Sequence, residues 1–143
     1  MPEPDDLSPA VSPPALAMRA ADRVADRLGV TVVEASDGHS VVTMTADADT
    51  DNGMGICHGG LLFTLADIAM AYASNGGDQH AVATGGSVEF LAAVPVGTAL
   101  TATCSTPHGS GRSRVHDIEV TDEAGTVVVV FRGRTLALGP HGA

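Results

Sequence analysis

The run GICHGGLLFTLADIAMAYASN, residues 55 to 75, sets a single carboxylate, Asp67, within an apolar segment that opens on His58-Gly59-Gly60. At helical spacing Gly60, Thr64, Asp67, Ala71 and Ser74 share one small, polar stripe, while Leu61, Leu65, Ile68 and Tyr72 share another. An arbitrary helical Asp is most often a solvated residue or the partner of an Arg. Here no Lys or Arg occurs between Arg27 and Arg112, so Asp67 has no local partner at i,i+4 spacing. It is also the only acidic or basic residue, histidine aside, from His58 to Asn75. A solitary acid on a small-residue groove reads as part of a site.

The His58-Gly59-Gly60 opening supplies a complementary chemistry. The first turn of a helix leaves backbone N–H groups unpaired, and glycine lets a ligand approach them closely, which is oxyanion-hole or anion-binding geometry. Taken alone, the same residues describe a flexible lead-in with His58 as cap. Gly59 and Asp67 are eight residues apart, roughly 12 Å along a helix axis, too far for both to touch one reacting carbon. Two such helices lying antiparallel about a two-fold axis would set Gly59 of one chain against Asp67 of the other, giving two equivalent sites per dimer.

The elements that must hold these residues follow from periodicity. Gly59 to Ser74 reads as one long helix stopped by Asn75-Gly76-Gly77. PALAMRAADRVADRLGV reads as one short amphipathic helix with Ala17, Ala20, Ala21, Val24, Ala25 and Leu28 on its apolar face and Gly29 as its stop. Two β-branched runs around Ser36-Asp37-Gly38 predict a hairpin, and ADADTDNGMG predicts a loop. Four further strands are expected within residues 81–93, 98–109, 114–122 and 125–138, in an antiparallel sheet. In the third of these, His116, Ile118 and Val120 face one side and Val115, Asp117 and Glu119 the other. The fold class is α+β, a central helix apolar nearly all round that a wrapping sheet, a second subunit, or both must cover.

Composition limits the functions available. The 143 residues, 44% hydrophobic, suit one domain. Seventeen acids against seven Arg and no Lys give a net charge of −10, which repels phosphate backbones and makes nucleic acid an unsuitable partner. Cys57 and Cys104 show no disulfide or metal-site spacing, and Cys57 lacks the paired base of a nucleophile. No metal site is expected. The first 14 residues, with five Pro and three acids, read as a disordered lead-in to a single domain over 15–140. Acids where a signal peptide needs bases, and no run long enough to span a membrane, point to a soluble cytoplasmic protein.

DNGMGICHGGLLFTLADIAMAYASN resembles the Asn-Gly, Cys-His-Gly-Gly and Phe-x-Leu-Ala-Asp signature of the PaaI-like acyl-CoA thioesterases, a hotdog-fold family linked to phenylacetate degradation. The resemblance runs from MRAADRVADRLGV to VVVVFRGRT. It implies an antiparallel sheet wrapped around a long helix, a homodimer that is commonly a dimer of dimers, and hydrolysis of a thioester to acid and CoA. It implies no resident cofactor, CoA being part of the substrate. By position it makes Asp67 the catalytic carboxylate, acting as general base or as nucleophile with its pKa raised by burial in either role, and the Gly59 N–H the oxyanion donor. Asn52 and His58 would place substrate or water, and Thr84 would stand near the attacking water. Gly60 and Phe63 would contact substrate. Arg112, Arg114, Arg132 and Arg134, the only bases after the helix, would serve the CoA phosphates, Arg112 and Arg114 foremost, unless surface acids claim them. The acyl group implied is aromatic, such as a hydroxylated phenylacetyl group. After VEFL the family often continues Arg-Pro, where this chain has Ala92-Ala93, a departure that bears on the nucleotide end of the substrate. A non-catalytic acyl-CoA-binding module is the alternative, against which Asp67 argues. A hotdog dehydratase would need a His and carboxylate motif that this chain lacks.

Overall fold

The computed structural model describes residues 10 to 142. In chain order the elements are α1 (Pro13–Ala21), α2 (Arg23–Leu28), β1 (Thr31–Ser36), β2 (His39–Thr45), a 3-10 turn (Ala48–Thr50), α3 (Gly59–Ser74), β3 (Gln79–Phe90), β4 (Ala99–Ser110), β5 (Ser113–Thr121) and β6 (Val127–Pro140). The six strands form one antiparallel sheet in the order β1-β2-β4-β5-β6-β3, and α3 packs against it. The expected α+β architecture, a long helix held by an antiparallel sheet, is the one observed.

Helix α3 forms because Ala and Leu dominate a run with few β-branched residues, and it ends where Asn75 returns its N–H to Ala71 O. Leu62, Leu65, Ile68, Met70 and Tyr72 are buried against Val42, Leu100, Ile118, Val120 and Phe131 of the sheet. Each such side chain contributes about 1.5–3 kcal/mol when fully removed from water. Close approach of helix and sheet depends on Gly133, where a Cβ would overlap Met70 Sδ and the Phe131 ring. On β5 His116, Ile118 and Val120 turn inward and Glu119 outward, as the alternation requires.

The β1–β2 hairpin turns at Asp37-Gly38, where Gly38 takes φ +83°, and its N–H binds Ala73 O at the end of α3. Gly76 passes so near this hairpin that a Cβ there would overlap the Ser36 carbonyl. Asn75 then ties the helix end to β3, accepting from Ala81 N at 2.9 Å and donating to Ala81 O at 3.1 Å.

Two expectations for the N-terminus are corrected. The single helix is two, broken at Asp22, whose extended backbone ends α1 and whose carboxylate accepts from Ala25 N to begin α2. The face also differs: Ala15 and Ala25 are the buried residues, whereas Ala17, Ala20, Ala21 and Val24 are exposed in this chain. The disordered lead-in expected over 1–14 falls for residues 1–9 outside the described residues. Val11 already bridges to Ala35 and Ser12 caps α1.

Strand β3 is an edge of the sheet. All of it except Ala81 and Val88 is exposed, and Val82 and Phe90 are among the largest exposed hydrophobic residues. Among the described residues no helix is long and apolar enough to cross a membrane.

Candidate active site

Asp67 lies at the middle of α3 on its open stripe, partly buried, and desolvation alone pushes its carboxyl above the usual carboxylate range. Its open side faces a cavity of about 570 Å³ whose walls include Met18, Met70, Ala71 and Val82. Helix α1 reaches this cavity because Tyr72, one turn beyond Asp67, donates from its hydroxyl to Asp22 Oδ2 at 3.0 Å, pinning the break between α1 and α2 to α3. Pro14, Ala17 and Met18 then form one wall.

Gly59 begins α3, one residue before the stripe's first member, Gly60. His58 holds the N-cap position with extended backbone, but its exposed side chain makes no capping bond. Its carbonyl instead accepts from Leu61 N and Leu62 N, and among the described residues no acceptor faces the Gly59 or Gly60 N–H. The free N–H groups stand where negative charge is best received. Gly59 borders a second cavity of about 320 Å³, shared with Asn52, Leu62, Phe90 and Ala92. The Phe90 ring lies against Gly59, close enough for a Cβ there to sit 3.2 Å from the ring. Asn52 is fixed by an Asx turn, its Oδ1 accepting from Met54 N at 2.9 Å.

The structure thus brings Asn52 and Gly59 together and places Asp67 apart from both, in a different cavity. Phe63 meets neither cavity; its ring stands edge-on to Phe131 with centroids 5.0 Å apart. Gly60 is exposed on the same stripe as Thr64 and Asp67. Thr84 sits in a bulge of β3 opposite β6, donating to Arg134 O at 3.2 Å and accepting from Arg134 Nε at 3.3 Å. Arg114 pairs with Asp37 at 2.8 Å, and Arg132 grips Asp117 with Nε and a second nitrogen. Arg112 lies in the tight β4–β5 turn. Cys57 and Cys104 are free and buried, and burial pushes both thiols up, Cys104 to about 12.

Sequence reasoning missed the far wall of the Asp67 cavity, where Asn75, His80, Thr135 and His141 line it. His80 and His141 are 61 positions apart and meet only because β3 pairs with β6, His80 opposite Gly139. The Asp22 break had a signal, an N-cap residue ahead of RVADRL, which the continuous apolar periodicity masked.

Comparison with known proteins adds a family. The Thioesterase superfamily model matches residues 54–129. The chain is 40% identical over 123 residues to acyl-coenzyme A thioesterase PaaI of Escherichia coli K12, covering 86% of this chain and 88% of the relative. The solved structure of the E. coli PaaI protein from the phenylacetic acid degradation operon superposes with a TM-score of 0.86 at 39% identity, over 89% of this chain and 92% of that one. A Streptococcus mutans UA159 protein bound to acetyl-CoA superposes with a TM-score of 0.74 at 25% identity, over 78% and 90% of the two chains.

Proposed function

The chain belongs to the thioesterase superfamily, with its hotdog fold, and from that membership we propose that it hydrolyses acyl-CoA thioesters to a free acid and CoA across the interface of a homodimer. The observation that carries this reading is the division of one helix into two half-sites. A desolvated carboxylate with no ion-pair partner among the described residues opens on one cavity, and a helix N-terminus with free N–H groups opens on another.

A second copy supplies what each half-site lacks. The exposed edge β3, long and with Glu89 its only acidic or basic residue besides His80, is the kind of edge that proteins otherwise cover or pair. Pairing there would bring two α3 helices antiparallel, with Gly59 of one beside Asp67 of the other. The Gly59 N–H then polarises the thioester carbonyl. Asp67 takes a proton from water as its oxygen adds to the carbonyl carbon, the oxyanion collapses, the C–S bond breaks, and the proton passes to the departing thiolate. Asn52 and His58 border the Gly59 side and position substrate, while Thr84, tied to Arg134, approaches the water from β3. Because Arg114 and Arg132 already hold aspartates and Arg134 donates to Thr84, Arg112 is the arginine most available to a CoA phosphate.

The acyl group we assign is aromatic, such as a hydroxylated phenylacetyl. A largely apolar cavity of about 570 Å³ beside Asp67 accommodates a ring, and the E. coli relative comes from a phenylacetic acid degradation operon. The test is CoA release from a panel of aryl and alkyl thioesters by wild type and Asp67→Ala. Wild-type release that collapses in the variant supports the reading, and equal rates in the two proteins would overturn it.

A further inference from the structure

Two imidazoles meet where β3 begins and β6 ends. The register sets His80 opposite Gly139, and His141 follows β6 directly, its backbone N–H donating to Asp78 O at 3.0 Å. The two rings stand with centroids 6.0 Å apart and planes at 64°. Both residues are exposed and both line the cavity beside Asp67. Both also line a second hollow of about 410 Å³, with Leu138, Gly139 and Pro140. The pair therefore stands on the rim of the Asp67 cavity and is open to solvent on its outer side.

The hydrogen bonds around the pair leave lone pairs on both rings. His141 approaches Asn75 O with Nε2 at 3.1 Å, and because a carbonyl only accepts, Nε2 carries the hydrogen and Nδ1 of the neutral ring keeps its lone pair. A histidine that ligates a metal nearly always gives its other ring hydrogen to such an acceptor, which fixes the tautomer and makes the ligating nitrogen more basic. Among the described residues the His80 ring meets His141 and enters no hydrogen bond of its own. Other histidines are committed elsewhere: His39 holds Glu34 with Nε2 at 2.8 Å, and His116 engages Thr106 and Thr135 with its two nitrogens.

We propose that His80 and His141 bind a divalent transition metal of the Zn²⁺, Ni²⁺ or Cu²⁺ class through one nitrogen each, and that the bound ion obstructs the Asp67 cavity. With metal–nitrogen bonds of about 2.1 Å, a tetrahedral ion sets two imidazole centroids about 5 Å apart, so the rings close by about 1 Å, a movement open to two exposed side chains. Imidazole suits these ions, whereas Mg²⁺ and Ca²⁺ require oxygen donors. Among the described residues no third His, Cys, Asp or Glu completes a cluster, so water fills the remaining positions. The net charge of −10 favours a cation at this rim. Two protein ligands in place of four supply roughly half the free energy of a closed zinc site, which corresponds to a dissociation constant on the order of 10 µM. The metal site stands on the geometry alone; its obstruction of substrate rests on the thioesterase reading above.

Calorimetric titration of the metal-stripped chain with Zn²⁺ tests the site without turnover. Wild type takes up one ion per chain at about 10 µM, and His80→Asn and His141→Asn, changes at exposed residues, each weaken uptake about tenfold or more. His39→Asn, which removes the ring paired with Glu34, leaves uptake unchanged, and Mg²⁺ gives none. Absence of uptake at about 100 µM Zn²⁺, uptake undiminished in either rim variant, or an equal loss in His39→Asn overturns the proposal. Turnover of an aryl thioester is then followed with free Zn²⁺ held by a metal buffer, so that released CoA does not deplete it. At ten times the dissociation constant KM rises about tenfold in wild type with kcat kept, and His80→Asn shows no such rise. A KM unmoved in wild type overturns the obstruction. One ion taken up per chain, lost in the rim variants, in a protein that hydrolyses no thioester sustains the metal site and removes the thioesterase reading instead.

Discussion

Gly59 and Asp67 lie on one helix eight residues apart, and no cavity contains both: Gly59 borders the one with Asn52 and Phe90, Asp67 the one with Met70 and Val82. If the working site joins Gly59 of one chain to Asp67 of another, defects at the two positions complement each other. Gly59→Pro removes the N–H at a position whose backbone suits proline, the first of a helix after an extended His58 (φ −59°, ψ 133°), while its Cβ presses on the Phe90 ring at 3.2 Å, so Gly59→Ala, which adds the Cβ and keeps the N–H, is the control. Gly59→Pro alone lowers kcat by about 10²–10³-fold, the cost of an oxyanion donor. Equal mixtures of Gly59→Pro and Asp67→Ala, dissociated and reassembled, recover about a quarter of wild-type activity, because half of the dimers are mixed and each has one intact site. Recovery no greater than the sum of the two parents would place both residues in one chain's site.

Asp67→Asn separates function from stability. As a general base it contributes about 10²–10⁴-fold to kcat, which the variant loses. Wild-type kcat/KM falls with decreasing pH through a pKa displaced upward from 3.8, since the ionised form is the working one. Because burial raises the folded-state pKa, ionised Asp67 weakens the fold at neutral pH, and that cost is relieved as pH falls. Thermal melting at pH 7 therefore shows Asp67→Asn at or above the wild-type Tm, opposite to the sign expected for removal of a salt-bridged acid.

His116 gives the opposite dependence. Desolvation lowers its pKa from 6.5 to about 4, with Arg114 adding to the shift and Asp117 opposing it. Above pH 6.5 folded and unfolded chains both carry the neutral ring and nothing is lost. Below it the unfolded chain binds a proton that the folded one refuses, so stability declines until about pH 4, by about 3 kcal/mol in all. Urea midpoints taken from pH 7.5 to 4.5 should show this decline, and His116→Leu should flatten it at the expense of lower stability at neutral pH.

Those two residues mark how far the sequence can be read. Asp67 was legible because its isolation in an apolar helix is a local pattern, and the Gly59–Ser74 helix and the strand alternation around His116 are equally local. The Asp22 break was not, because its N-cap interrupts an apolar period without changing it. Nor was the pairing of Arg114 with Asp37, the choice of the Asp22 carboxylate by the Tyr72 hydroxyl, or the meeting of His80 with His141. Each joins residues that lie far apart along the chain and that only the packing of one element on another brings together, the β3–β6 register in the case of His80 and His141.

The edge strand carries the remaining prediction. Val82 is 42% exposed on β3, and with the exposed Phe90 and Leu91 it makes an apolar edge, the one through which the proposed dimer would form. Val82→Lys places a charge in that pairing, and a lysine on an edge strand is among the devices by which sheets avoid pairing. Native mass spectrometry should show wild type at twice the 14.3 kDa chain mass, or at a higher even multiple, and Val82→Lys as the single chain. Since Val82 also lines the Asp67 cavity, activity alone would not separate loss of the dimer from an altered pocket. Val82→Thr, similar in size and uncharged, serves as the comparison: it keeps the dimer and most of the turnover. A Val82→Lys protein that remains dimeric with wild-type turnover would move the interface away from β3, and with it the reason for Gly59 to meet Asp67 of a second chain.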